Sequence, residues 1–152
     1  MLSFRPGADK QNGARGKGRN MRHANVMDWE ARLKAVFDRI DHALEDKYGD
    51  RFPLHPARPA RGATSNPEHD GLFNLGAVFT AGYGSQTGPG YVVEVHFSTL
   101  ARVPEAWRER LAAEVVEQLR AELPRAFPGR DLRVTRDGPV YKIHGDLRLG
   151  QV

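Results

Sequence analysis

Residues 70–99, DGLFNLGAVFTAGYGSQTGPGYVVEVHFST, hold two alternating runs around a glycine-rich centre. In the first, Leu75, Ala77, Phe79 and Ala81 alternate with Gly76, Val78, Thr80 and Gly82. In the second, Tyr91, Val93, Val95, Phe97 and Thr99 alternate with Val92, Glu94, His96 and Ser98. A strand sends successive side chains to opposite faces, so each run has one apolar and one mixed face. The β-branched and aromatic content of the second run suits a half-buried sheet. Gly82, Gly84, Gly88 and Gly90 admit unusual backbone angles, and Pro89 cannot donate to a ladder. The stretch therefore predicts two strands joined by a long turn, a surface on which helices must pack.

The rest of the chain supplies two helices and a second hairpin. A helix is expected over 28–48, with Asp28 as cap and Gly49 as stop. Trp29, Leu33, Val36, Phe37, Ile40 and Leu44 form its apolar stripe. Asp38, Asp41, Glu45 and Asp46 are expected on its outer face, interspersed with Lys34, Arg39 and Lys47. A second helix should start at Pro104, carry Trp107, Leu111, Val115, Leu119 and Leu123 inward, and end or kink at Pro124. Leu132 and Val134, an Asp137-Gly138 turn, and Tyr141, Ile143, Leu147 and Leu149 mark the second hairpin, with Gly145 as a bulge candidate. The order is helix, hairpin, helix, hairpin. The economical fold is α+β: a two-layer sandwich with a four-stranded, mainly antiparallel sheet and both helices on one face. The other face would be polar and partly exposed.

A chain of 152 residues is enough for one domain with a real core. We assign that domain to residues 28–152 and read 1–27 as a disordered basic tail. Translation starting at Met27 would leave the fold intact. The tail holds six basic residues against Asp9, or +5, so the remainder of a chain with net charge +4 sums to −1. Nucleic-acid affinity inferred from the basic balance would therefore rest on the tail. There is no cysteine, which excludes disulfides and thiolate metal sites and fits a cytoplasmic protein. No run reads as a membrane span or a signal peptide.

The halves share a faint pattern. Trp29-Glu30-Ala31-Arg32-Leu33 resembles Trp107-Arg108-Glu109-Arg110-Leu111, and Val95-His96 resembles Ile143-His144. If the halves are repeats, a pseudo-twofold axis relates His96 to His144.

No motif identifies a reaction, and whether the chain is an enzyme is not legible. Two constellations carry chemistry. Residues 50–70 lack regular structure, and prolines stiffen a run of Arg51, His55, Arg58 and Arg61 without an acid until Glu68. Arginine forks suit phosphate or carboxylate. Backbone N–H groups of the glycine-rich turn could form an anion nest. We therefore take His55, Arg58, Arg61, Gly84, Ser85, Gly88 and Gly90 as a candidate anion site. The alternative is that the segment wraps the sheet edge while its arginines pair with the acids of the first helix. Ser85 has no base partner in the sequence.

The second constellation is the polar sheet face. Glu94 and His96 are two apart on one strand, and His144 and Asp146 on another. If those strands are neighbours, the four could hold a divalent transition metal or perform acid–base work. The alternative is ordinary surface, with ion pairs to Lys142 or Arg148. An RNA platform is disfavoured, because Tyr91, Phe97 and Tyr141 fall on the apolar parity. The leading expectation is a small module binding a phosphorylated small molecule, a nucleotide or a nucleic-acid backbone. The second is a metal-dependent, hydrolase-like enzyme. The third is a homo-oligomeric interaction domain, a homodimer through a sheet edge or face, with no ligand and no membrane partner.

Overall fold

The computed structural model describes residues 13–147, with side chains from residue 27 onward. The sheet and the helices against it belong to one compact unit, Leu33–Leu147, and the residues before Leu33 belong to a separate unit. The elements are α1 (Gly13–Tyr48), β1 (Phe73–Thr80), β2 (Gly90–Phe97), α2 (Glu105–Ala126), β3 (Leu132–Asp137) and β4 (Val140–Gly145). They form an α+β fold of two helices and a four-stranded antiparallel sheet in the order β1-β2-β4-β3.

α1 begins well upstream of Asp28, within the stretch expected to be disordered. Arg15, Lys17, Arg19, Met21, Arg22 and Ala24 are good helix formers between the glycines. Extending an existing helix needs no new nucleus. Residues 1–12 of the expected tail, and Arg148 and Leu149 of the last strand, lie outside the described residues. α2 follows Pro104 directly, contains Pro124 in its last turn and ends at Ala126, where the Phe127 N–H closes on the Leu123 carbonyl at 2.8 Å. The long segment before β1 contains a single short 3-10 turn, Pro67–His69.

The inner sheet face carries the expected apolar parity. Phe73, Leu75, Val134 and Ile143 are buried, as are Val36, Phe37, Ile40 and Leu44 of α1 and Leu111, Val115, Leu119 and Leu123 of α2. Arg39 meets Glu122 at 3.1 Å and Lys47 meets Glu114 at 3.2 Å, so the helices run antiparallel, side by side. Tyr48 adds a bond to Glu114 and an edge contact to Trp107. These exposed ion pairs set register more than they stabilise; the apolar layer holds the fold.

β1 pairs with β2 over eight residues, from Phe73 opposite Phe97 to Thr80 opposite Gly90. β3 pairs with β4 over six, through a tight Gly138-Pro139 turn with Gly138 at φ 67°. The two hairpins meet at two positions, Tyr91 with Ile143 and Val92 with Lys142. This strand order is the one a duplicated helix–hairpin unit would give, each hairpin placing its second strand at the centre.

Candidate functional site

The register decides the fate of the proposed metal cluster. Tyr91 lies opposite Ile143, so His144 aligns with Gly90 while Glu94 and His96 lie towards the other end of β2. At about 3.3 Å per residue, His144 and His96 are about 20 Å apart along the strands. Residues related by a twofold axis between β2 and β4 diverge in this way rather than converge. His96 sits 3.6 Å from Glu94 on open surface. His144 bonds Thr135 Oγ1 at 2.8 Å. Its imidazole is held below its ordinary pKa by burial and by the neighbouring Lys142 and Arg133 cations, which would also oppose a metal. Asp146 turns towards Arg130. Among the described residues no group of three or more His, Asp or Glu could hold a metal ion. The four-residue cluster of Glu94, His96, His144 and Asp146 is not assembled.

The candidate anion site is likewise taken apart. Arg58 is half-buried and donates to four backbone carbonyls, those of Glu68, Asp70, Gly71 and Phe73, at 2.7–3.2 Å. It staples the proline-rich segment to the start of β1. Arg61 pairs with Asp46 at 2.8 Å and reaches the His42 carbonyl at 3.3 Å, which is the pairing with helix acids weighed as the alternative. His55 Nδ1 accepts the Ala57 N–H, and the His55 backbone N–H donates to the Ser98 carbonyl. With Arg58 and Phe97, His55 lines a shallow depression of about 270 Å³. This segment lies at one end of the β1–β2 hairpin and the glycine-rich turn at the other, about 26 Å away for eight extended residues.

The turn itself binds a cation from within the protein. Lys142 falls on the outer sheet face, yet its side chain is only 2% exposed, because residues 81–89 fold back over it. Its ammonium donates to Gly88 O at 2.6 Å and to Ser85 Oγ at 2.9 Å, and meets Asp137 Oδ2 at 2.9 Å. Three donors meet three acceptors. Thr87 Oγ1 adds a bond to the same carboxylate, and the Gly88 N–H bonds Ser85 Oγ. The Lys142 bond, then that from Thr87, holds the Asp137 carboxyl below the usual range. At Gly82, with φ 77°, a side chain would collide with the Gly88 carbonyl; at Gly90 it would collide with that of Ile143. The turn is thus a latch, and the groups of Ser85 and Gly88 are engaged inside it.

A second buried cluster sits beneath the proline-rich segment. Asp41 and Glu45, expected on the outer face of α1, are buried together with Asp70. Glu45 accepts the Phe73 N–H at 2.9 Å, and a side chain on Gly71 would strike its carboxylate. Asp70 accepts the N–H and hydroxyl of Thr64. Asp41 Oδ2 has no partner among the described residues. Burial first, then the Glu45, Asp38 and Asp70 charges, push the Asp41 carboxyl up to about 8 against the counter-pull of Arg58. The position of this pair flanks the apolar stripe: Asp41 follows Ile40 and Glu45 follows Leu44, one helical turn apart.

Exposed apolar surface gathers at the far end of the β1–β2 hairpin. Val78 and Phe79 are 53% and 56% exposed, and Tyr83 in the turn is 96% exposed. Phe79 stacks edge-on with Tyr91, ring centroids 5.5 Å apart. β1 is an edge strand, and its sequence FNLGAVFT has neither charge nor proline. The opposite edge strand, β3, carries Arg133, Arg136 and Asp137. Arg58 on the Phe73 carbonyl and the turn at Pro67–His69 guard the first half of β1. The strand chemistry that sequence reasoning missed is this contrast between edges, readable as charge in one strand and none in the other.

A family model described as that of an uncharacterised protein matches residues 24–145, and the chain belongs to that family. It is similar to an uncharacterised protein of Borreliella burgdorferi (strain ATCC 35210 / DSM 4680 / CIP 102532 / B31), 38% identical over 106 residues, covering 70% of this chain and 83% of that one. No solved structure matches it significantly. Among the described residues no helix is long and apolar enough to cross a membrane.

Proposed function

We propose that the chain is a self-associating interaction module that pairs with a second copy through the open half of β1. One observation carries this reading: Val78 and Phe79 are exposed on an edge strand with no charged residue to repel a copy of itself. Natural sheets usually blunt an edge with charge, proline or cover. Here the cover stops partway, leaving residues 76–80 open. Antiparallel pairing about a dyad at Val78 places Val78 against its own counterpart and Phe79 against Ala77 of the second copy. A large ring then faces a small side chain on one sheet face, and no like charges stand opposite each other. Arg58 and Arg61 are engaged within the fold, so the arginine segment gives an anion-binding reading little support.

Sedimentation equilibrium of the full chain tests the proposal. A dimer that Phe79→Lys or Val78→Lys converts to monomer is expected. Facing ammonium groups at the dyad in Val78→Lys, and the lost ring contact with Ala77 in Phe79→Lys, should each weaken association by at least tenfold, while urea stability of the Val78→Lys monomer changes by no more than about 0.5 kcal/mol. A wild-type monomer at high micromolar concentration, or a dimer indifferent to both substitutions, overturns it.

A further inference from the structure

One stretch of the inner sheet face is thinly covered. Val95 pairs with the buried Leu75, and Val93 with Ala77, so both valines have the inward parity. The register that sets Tyr91 opposite Ile143 brings Tyr141 beside Val93, and Arg136 pairs with Tyr141 on the same face. Yet Val93, Val95 and Tyr141 are only half-buried, whereas Ile143 and Val134 in the next row are buried. The reason lies in α2. The stripe it turns to this stretch is Glu105, Arg108, Glu109, Ala112 and Ala113, spaced as one face of a helix. Two alanines opposite two valines do not fill the layer, and a cleft of about 450 Å³ results. Protein interiors are otherwise close-packed, and that volume lies in the range of small-molecule sites. No residue of β1 lines the cleft, so it is separate from the edge proposed for self-pairing.

The two walls of the cleft differ in charge. The helix wall holds Glu105 and Glu109, one turn apart, against Arg108. The wall formed by the strands and the β3–β4 turn holds Arg136 and no acid. Arg136 lies over the Tyr141 ring at 5.5 Å, and Arg108 over the Phe97 ring at 5.6 Å. Stacking fixes both guanidinium groups and leaves their N–H forks open. Arg136 uses only Nε, on the Gly138 carbonyl at 3.3 Å. Among the described residues neither arginine makes an ion pair, and neither do Glu105 and Glu109. These four charges are therefore not consumed within the fold.

We infer that the cleft binds a small zwitterion with an apolar middle, of the kind formed by a dipeptide of apolar amino acids. Its carboxylate meets the Arg136 fork, its ammonium meets Glu105 and Glu109, and its side chains cover Val93, Val95 and Ala112. A simple anion is opposed by the two glutamates, and a simple cation by the two arginines. An uncharged apolar molecule would strip water from all four charges and return nothing to them. A ligand carrying both charges satisfies each wall while its middle lies on the apolar floor. A free amino acid carries both charges on one carbon. A dipeptide sets them a residue apart, about 3.5 Å further, which suits partners on opposite walls.

The test titrates the full chain with the dipeptide Val-Phe while backbone amide resonances are followed. Saturable shifts centred on Val93, Val95, Ala112 and Tyr141 are expected. Acetylating the amine or amidating the carboxylate of the probe should each weaken binding by about fivefold, the scale of a half-exposed ion pair. Free phenylalanine should bind more weakly than Val-Phe. Ala112→Leu fills the cleft from a position where leucine suits a helix, and it should abolish binding in a folded protein. Arg136 is exposed, so Arg136→Gln tests the site without disturbing the core. In that variant the preference for the free carboxylate should vanish while the preference for the free amine stays. No saturable shift at tens of millimolar dipeptide, equal affinity for Val-Phe and its capped forms, or undiminished binding by a folded Ala112→Leu overturns the inference. So does an Arg136→Gln variant that still prefers the free carboxylate.

Discussion

Lys142 and Asp41 are both charged residue types taken almost wholly out of water, at 2% and 3% exposure, and the fold treats them in opposite ways. Lys142 lies under the glycine-rich turn with an acceptor for each of its three protons. Asp41 lies under the proline-rich segment with one oxygen unpartnered and carboxylates as neighbours. Each sits beneath a loop that carries little regular structure. The difference teaches what holds each loop. On the outer face a satisfied cation pins residues 81–89. Beside α1 the Arg58 staple pins the segment, and Asp41 is a buried acid that must keep its proton to be tolerated.

Breaking the satisfied side should have the largest effect. Lys142→Met keeps the length of the stem and removes every hydrogen bond to the ammonium. Stability should fall by about 2–4 kcal/mol, since bonds to a charged group are lost and their acceptors stay partly buried. The check is a shift of the urea midpoint, with hydrogen exchange accelerating at Ser85 and Gly88. Slow exchange at those amides in the variant would mean that the glycine backbone holds the turn unaided.

How far such features were legible follows from the same contrast. Period-two alternation revealed both hairpins, and helical spacing revealed both apolar stripes, because burial of one face is a local property of sequence. The strand parity of Lys142 was legible, but its burial was not. That burial arises from residues 81–89 folding across a strand more than fifty positions away. The length of the turn was the available signal, since nine residues are more than a hairpin needs. Arg58 reads as a ligand-binding group in sequence because its true acceptors are backbone carbonyls, which every residue has. Asp41 and Glu45 read as solvated because the intervening lysines and arginines suggest an exposed face; their flanking position beside Ile40 and Leu44 was the clue. Glu94, His96, His144 and Asp146 share a face, as parity requires. Whether they meet depends on register between β2 and β4, which nothing in either strand specifies.

The unsatisfied side should respond to pH. Asp41 titrates near 3.8 in the unfolded chain and at about 8 in the fold. The native state therefore holds the proton more tightly. Its cost is absent below the unfolded value, grows as pH rises, and is complete above about 8. Burial raises the Glu45 carboxyl too, with the same sign. Wild-type stability should accordingly decline from pH 5 to pH 9. Asp41→Asn removes the titration and should gain about 1–3 kcal/mol at pH 9, the scale of an unpaired buried polar group, and distinctly less at pH 5. Urea midpoints across that range test it. Parallel profiles for the two proteins would show that Asp41 finds a partner on ionising and that the contrast with Lys142 is smaller than the fold suggests.

The latch has the reverse dependence and a smaller reach. Asp137 is held below the usual carboxylate range by Lys142 and Thr87, so it supports the fold above its unfolded value. That support is lost as pH falls through the folded value. Asp137→Asn should cost less than Lys142→Met, because Ser85 Oγ and Gly88 O still receive the ammonium. The difference between wild type and this variant should be present at pH 6 and close as the carboxylate is protonated in acid. The turn would then loosen at low pH while α1 tightens. Exchange rates at Gly88 and at Phe73, whose N–H bonds Glu45, should diverge between pH 3 and pH 6. A difference between Asp137→Asn and wild type that persists unchanged into acid would place its origin in shape or side-chain packing rather than charge, and would leave Lys142 anchored chiefly by the turn's own oxygens.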